Sequence, residues 1–363
     1  MSLDTQLRDL LDERLGAVQP PYGDLAAVER AGRRIRRRRH GMTAAAAAVA
    51  LAAVVGTGVQ LLGSEPDDGG HAYAPLGPMD FSHGLRAYAD PGRELHIGGR
   101  TVPVDDLPFL DTDALATAYG VVFYRDGDLL LVQEDGTIVT LDEGEPAPKG
   151  FHPTAKGAGG TALVAYVLVE DSRPTLKVLD LGSQRVVESR TLDCTGTCDG
   201  LVLDGFDAGN VFVRTDAGTS LWHTEVDGPL QPFAGRETRV ADARGGVVLY
   251  SGERPDLEAA GDWMLVVGSI DAQLTFDGRY VLDWSSRLEP TRDGDRPLRL
   301  DEGPLEGLGF WTIDTDGSVL VAAPGGEYPN YLVFDCEVPS GTCAEVGPLT
   351  TRHGDPMFIG SDM

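Results

Sequence analysis

From residue 79 onward, apolar runs of four to eight residues alternate with turns rich in Gly and Asp. Examples are Gly120–Tyr124, Leu129–Gln133, Thr161–Val169, Leu176–Leu181, Asn210–Arg214, Gly246–Tyr250, Trp263–Gly268, Tyr280–Trp284, Val319–Ala323 and Tyr331–Phe334. Runs of this length bounded by turn residues predict β-strands, and no long helical period occurs among them. The pair Asp-Gly recurs, as at Asp126-Gly127, Asp135-Gly136, Asp204-Gly205, Asp277-Gly278 and Asp316-Gly317. It suits type I′ hairpins, because both residues tolerate positive φ. The strands fall into loosely repeated units whose outer turns lie at Gly98-Gly99 and near 135, 182, 227 and 340, the first four some 36–47 residues apart. That is the length of a four-stranded propeller blade. Two more units fit between 227 and 340, which makes about seven blades, with six as the alternative; residues 250–310 are the least regular. The apolar segment Pro356–Gly360 is placed to add a strand to the blade begun near Leu85–Val104 and so close the ring.

Before residue 63 the rhythm is different. Leu3, Leu7, Leu10, Leu11 and Leu15 share one helical face, which predicts an amphipathic helix over 2–17 ended by Gly16 and Pro20-Pro21. A second helix is predicted from the cap Asp24 into the cluster Arg33, Arg34, Arg36, Arg37, Arg38 and Arg39. Thr43–Leu62 follows, twenty uncharged residues. As a helix it spans ~30 Å, the hydrocarbon thickness of a bilayer. Arginines on one flank only put the N-terminus in the cytoplasm and the bulk of the chain outside. The expected organisation is a helical cytoplasmic stub at 1–40, a transmembrane helix at 41–62, a flexible linker at 63–78 and an all-β extracytoplasmic propeller at 79–363. A buried helix of a soluble protein is one alternative, but it would gain nothing from the arginines. A cleaved signal peptide is another, with an unusually long forty-residue n-region.

Charge sharpens this division. The chain carries a formal −27, of which residues 1–62 contribute +3 (nine Arg against six acids), leaving −30 for residues 63–363. An acidic ectodomain repels nucleic acid, so none is expected as a partner. Four cysteines fall in two close pairs on the expected outer side, where disulfides persist: Cys194 with Cys198, and Cys336 with Cys343. A turn at Val338–Gly341 brings Cys336 directly opposite Cys343, within reach of a bond. A Cys₄ zinc site is the rival reading, although neither spacing is C-x₂-C.

Ala272-Gln273-Leu274-Thr275-Phe276-Asp277-Gly278-Arg279-Tyr280-Val281-Leu282 resembles the signature of WD40-like and PD40 (TolB-like) propeller repeats, and Leu176–Gly182 resembles their outer strand and turn. Leu332–Cys343 is similar to a disulfide-bridged version of the same element. The order of parts resembles membrane-anchored propeller proteins of high-GC Gram-positive bacteria. That resemblance implies a scaffold, which hosts both binding modules and enzymes. The stub resembles the N-terminus of membrane-tethered anti-sigma-factor-like proteins, without the His-x₃-Cys-x₂-Cys element that the zinc-bearing kind uses, since no Cys precedes Cys194.

Catalytic motifs are missing: H-E-x-x-H, G-x-S-x-G, Walker A and a dinucleotide G-x-G-x-x-G in a βαβ context do not occur. The seven histidines are scattered. Asp314-Thr315-Asp316-Gly317-Ser318 and Asp126-Gly127-Asp128 begin like calcium loops but lack the closing Glu, and hairpin turns explain them. Trp222, Trp263, Trp284 and Trp311 read as blade packing rather than a sugar-binding face. The expectation is therefore a membrane-anchored binding or interaction scaffold without catalytic, cofactor or metal residues, whose ligand is an extracytoplasmic protein or small molecule. One alternative is a transmembrane regulator whose leucine stripe holds a cytoplasmic partner. The other is a propeller enzyme, such as a metal-dependent lactonase, which convergent acidic or His ligands at the axis would favour.

Overall fold

In the computed structural model of the chain, the residues described are 76, 84–90, 94–103, 114–147, 151, 153–193, 200–226, 228–256, 261–283, 287–300, 310–325, 330–350 and 357–360. The chain divides into two compact units, Met1–Gly70 and His71–Met363, and all described residues belong to the second. The stub, the arginine cluster Arg33–Arg39, the leucine stripe Leu3–Leu15, the span 41–62 and the pair Cys194/Cys198 lie outside them. Among the described residues every regular element is a strand, and no helix is long and apolar enough to cross a membrane.

Seven sheets form the blades of a propeller. Blade 1 takes β1 (Tyr88–Asp90), β2 (Glu94–Ile97) and β3 (Arg100–Pro103) from the start of the domain. Blade 2 is β4 (Leu115–Thr117), β5 (Gly120–Arg125), β6 (Asp128–Val132) and β7 (Ile138–Asp142), and blade 3 is β8 (Ala155–Gly157), β9 (Leu163–Glu170), β10 (Arg173–Asp180) and β11 (Arg185–Thr191). Blade 4 follows as β12 (Val202–Asp207), β13 (Asn210–Thr215), β14 (Gly218–His223) and β15 (Gln231–Gly235). Blade 5 has three strands, β16 (Thr238–Arg244), β17 (Val247–Gly252) and β18 (Met264–Val267), the last pairing parallel to β17. Blade 6 is built of short strands, β19 (Gln273–Leu274), β20 (Tyr280–Leu282), β21 (Arg287–Pro290) and β22 (Leu298–Arg299). Blade 7 is β23 (Phe310–Ile313), β24 (Val319–Pro324), β25 (Asn330–Cys336) and β26 (Cys343–Thr350). The ring closes with β27 (Met357–Phe358), which pairs antiparallel to β1 and completes blade 1 from the other end of the domain. Ile359 N–H then donates to Ala87 O at 3.1 Å, and Ala116 N–H of blade 2 to Gly360 O at 2.8 Å.

The outer turns predicted at 98–99 and near 135, 182, 227 and 340 all join the third strand of a blade to the fourth. The irregular stretch 250–310 holds the three-stranded blade 5 and the short strands of blade 6. The Asp-Gly turns depart from expectation. Asp126-Gly127 has two positive φ values, 57° and 103°, as a type I′ turn requires. At Asp135, Asp277 and Asp316 only the following Gly is left-handed, and the carboxylate instead accepts the amide two residues on, from Thr137, Arg279 and Ser318. The aspartate holds these turns through its side chain, as an Asx-turn does. Asp204-Gly205 is not a turn at all but lies inside β12.

Why the apolar runs are continuous rather than alternating is plain from the packing. A middle strand has a neighbouring blade on each face, so every position of β9 from Val164 to Val169 is buried, whereas β11 at the rim is almost wholly exposed. Seven apolar clusters fill the seven gaps between blades. Between blades 2 and 3 lie Leu131, Leu141, Tyr166 and Leu168, and Leu76, within the expected linker, packs against that cluster. Between blades 5 and 6 the buried set shrinks to Val247, Leu249, Ala272 and Leu274.

Cys336 pairs opposite Cys343 and is disulfide-bonded to it, across a turn where Glu337 N–H donates to Thr342 O at 2.9 Å. Removing the bridge as Cys336→Ser should cost about 2 kcal/mol in urea unfolding and leave the fold intact, because the closed loop is short. Deleting residues 355–363 should do far more, since it strips blade 1 of its innermost strand. The melting temperature of the truncated protein is expected to fall by well over 5 °C, or the protein to aggregate; an unchanged midpoint would show that β27 does not hold the ring.

Candidate functional site

The first strand of each blade lies at the axis: β27, β4, β8, β12, β16, β19 and β23 follow one another around it, and most of these neighbours are in direct contact. Their polar side chains are the natural candidates for function, because a polar residue on a buried inner strand is costly unless it is used. Asp242 and Arg244 in β16 are both 1% exposed. Asp204 in β12, Lys156 in β8, Gln273 in β19 and Thr312 in β23 are buried as well.

Asp242 and Gln273 among these groups, and several polar side chains next to the inner strands, bond across blade junctions. Thr154, just before β8, accepts Leu203 N–H of blade 4 through Oγ1 at 2.8 Å. Asp207 accepts Gly246 N–H of blade 5 at 3.1 Å. Asp242 Oδ2 accepts Leu274 N–H of blade 6 at 2.7 Å, and Gln273 Oε1 accepts Ile313 N–H of blade 7 at 3.1 Å. Asp314, at the end of β23, takes Leu85 N–H (3.1 Å) and Arg86 N–H (2.8 Å) at the entry to blade 1. Tyr124 of blade 2 donates from its hydroxyl to Thr154 O at 2.8 Å and accepts Val167 N–H. Asp204 stays within its own blade, where Arg214 and Thr219 donate to it. Burial pushes its carboxyl up, against the pull of Arg214, Lys156 and Arg239.

One mouth of the axis carries a small, shallow depression lined by Thr117, Gly159, Thr161, Phe276 and Thr315 among others. Phe276 comes from the turn after β19 and reaches the far side of the ring. A Cβ on Gly159 of blade 3 would stand 2.7 Å from its Cδ1, so this approach requires glycine there. The guanidinium of Arg244 sits 5.1 Å from the centre of the Phe276 ring, a cation–π contact backed by Asp242, which accepts from Arg244 Nε. The mouth is thus narrowed by one aromatic ring held between blades 3, 5 and 7, Gly317 of blade 7 lying against its other edge.

The residues singled out in the sequence are placed as follows. Asp316 and Asp126 sit in hairpin turns, and Asp128 accepts Gly144 N–H at 3.1 Å. His223 lies between Asn210 Oδ1 (2.6 Å) and Gln231 Oε1 (3.2 Å), and His96 stacks on Tyr88. Trp222 is buried between blades 3 and 4, Trp263 meets Phe212 edge-on at 5.5 Å, and Trp311 packs between blades 6 and 7; Trp284 lies outside the described residues. Among the described residues no three His, Cys, Asp or Glu side chains come together as a metal site. The sequence singles out neither Asp242 nor Thr154, and Gln273 and Phe276 appear there only as members of the repeat signature, without a role at the axis. Asp242-Ala243-Arg244 did carry a signal, a charge pair closing an otherwise strand-like run from Val240.

The sequence matches no protein-family model, and no curated protein matches it significantly. Similar solved structures include TolB from Acinetobacter baumannii, 14% identical over 78% of this chain and 68% of that one, with a TM-score of 0.38. Apo AztD from Citrobacter koseri is 11% identical over 75% of this chain and 80% of its own, with a TM-score of 0.35. The β-propeller domain of the Trilobed protease from Pyrococcus furiosus is 12% identical over 72% and 79%, with a TM-score of 0.31. These likenesses are low, and the seven-bladed fold rests on the strand pairing itself.

Two measurements probe the inner ring. Asp242→Leu removes the acceptor for Ala243 N–H, Leu274 N–H and Arg244 Nε and takes away the buried carboxylate that pairs with this buried cation. It should cost at least about 3 kcal/mol in urea unfolding, well beyond the price of a surface substitution. Asp314 gives a pH dependence. Burial raises its pKa to about 6, with help from the charges of Asp316 and Asp335 and against the amides of Thr315 and Arg86. The folded protein therefore holds a proton that the unfolded chain has released between about pH 4 and 6, and stability from this group falls as pH rises through that window. The stability gap between wild type and Asp314→Asn should shift by about 2–3 kcal/mol in the variant's favour from pH 4 to pH 7. A gap independent of pH would show that Asp314 titrates normally.

Proposed function

We propose that the chain is a single-pass, membrane-anchored propeller facing the outside of the cell, where it acts as a binding scaffold rather than an enzyme. The observation that carries this reading is the Cys336–Cys343 disulfide on the outer hairpin of blade 7. Such bridges form and persist in oxidising compartments, and the apolar run Thr43–Leu62 behind six arginines supplies the means of export and retention. The scaffold reading is supported by how the axis uses its polar groups. Asp242, Gln273 and Asp314 are committed to backbone amides of the next blade, which makes a stiff ring. A rigid ring that presents loops and strand edges is suited to holding a partner.

Topology is the decisive test. A reporter active only outside the cell should work when fused after Met363 and fail when fused before Ser2. The reverse pattern would sink the proposal. Replacing Arg33, Arg34, Arg36, Arg37, Arg38 and Arg39 by neutral residues should yield a mixed orientation, because that one-sided charge sets it.

A further inference from the structure

We infer that the outer edge of blade 5 is a docking site for an extended, basic segment of a partner polypeptide, which pairs with β18 as the blade's fourth strand. Blade 5 is the one sheet of three strands among the described residues; the other six have four. Its last strand, Met264-Leu265-Val266-Val267, is apolar throughout. Every other blade ends on a strand that carries a charge or a proline: Arg100 in β3, Asp142 in β7, Glu188 in β11, Pro232 in β15, Arg299 in β22 and Glu345 in β26. Such residues keep an edge from pairing with other chains. Shortness does not stand in for them here, since β22 has two residues and still bears an arginine. The composition of β18 is that of an interior strand. Met264 and Val266 face blade 6, Leu265 faces blade 4, and all three remain half-buried, while Val267 is 70% exposed.

The backbone is open as well. Met264 and Gly268 donate their N–H groups to Gly246 O, just before β17, and to Tyr250 O on β17, both at 2.9 Å. By the alternation of a strand, the amides and carbonyls of Leu265 and Val267 point the other way, toward the rim, where no strand pairs with β18 among the described residues. An incoming strand finds four backbone groups and an apolar surface, the components of β-strand addition.

Charge selects the occupant. Exposed Asp262 and Asp271 bracket the strand, and no Lys or Arg occurs between Arg254 and Arg279. A second copy of this chain would bring those carboxylates together on a molecule of formal charge −27, so self-pairing is opposed and a basic strand is favoured. The inference rests on the reading of the propeller as a binding scaffold. It does not depend on membrane orientation, so this test and the topology test fail separately.

The test is fluorescence anisotropy of two dye-labelled seven-residue peptides, one alternating Lys and Val and one alternating Glu and Val, against the purified full chain in detergent. The Lys/Val peptide is expected to bind at least tenfold tighter than the Glu/Val peptide and to lose binding when its alternate amides are methylated. Val267→Pro deletes an amide that the fold does not use, so it should weaken the Lys/Val peptide at least tenfold at unchanged melting temperature and net charge. Val267→Lys keeps the amide and should reverse the preference between the two peptides. The proposal is overturned by absence of Lys/Val binding at millimolar peptide, by equal binding of both peptides, or by binding indifferent to Val267→Pro. A concentration-dependent dimer that Val267→Pro abolishes would also overturn it, by giving the edge to a second copy.

Discussion

The ring depends on one repeated interaction, a side-chain acceptor near the axis of one blade, in most cases buried, bonded to a backbone amide of the next. Thr154, Asp207, Asp242, Gln273 and Asp314 make this bond at five successive junctions. Apolar packing between blades is strong but non-directional, and it would tolerate a sliding or splayed blade. A hydrogen bond to a particular amide fixes height and angle, because it weakens steeply away from its preferred geometry. The buried acceptor also loses far more when unpaired than it gains when paired, so each junction discriminates against misplacement more than it adds to stability.

Around this frame the sheets share out their exposure. Inner strands and the residues at their ends carry the polar acceptors, middle strands such as β9 are buried on both faces, and rim strands such as β11 carry charges. Charged networks appear where a rim strand meets the next blade. Lys177 of β10 donates to Asp142 of blade 2 and to Glu170, and Tyr166 OH donates to the same Asp142 at 2.6 Å. Burial alone would lower the pKa of Lys177, but those two carboxylates outweigh it and leave the amine held above its usual range. Blade 5 departs from the scheme in both packing and edge. Among the described residues its junction with blade 6 has the smallest buried apolar set, and its rim strand has neither charge nor proline.

The blade repeat, the seven-fold count, the closing strand and the Cys336–Cys343 bridge were legible because each leaves a local mark: apolar runs of fixed length, turn residues at blade spacing, cysteines across a short hairpin. The inner ring left a fainter one. Whether Asp242 or Gln273 bonds forward to the next blade depends on residues some 30–40 positions away, which no local period reports. The Asp-Gly pairs misled on turn type because aspartate can hold a turn by its carboxylate as readily as by positive φ, and one sequence pair serves both. Phe276 fell inside the recognised repeat signature, yet its reach to Gly159 of blade 3 is a property of the closed circle and not of the repeat.

The position of β27 in the chain has a consequence for how the protein is made. Among the described residues, blade 1 holds the earliest strands, and its innermost strand is the last of the twenty-seven. While the chain emerges in order, blades 2 to 7 can each pair their own neighbouring strands as they appear, but β1 keeps an open inner edge until Met357 and Phe358 have been delivered. The first blade to be synthesised is thus the last to be finished. For all of that interval the nascent domain exposes a sheet edge that a chaperone must shield or a neighbouring molecule can occupy.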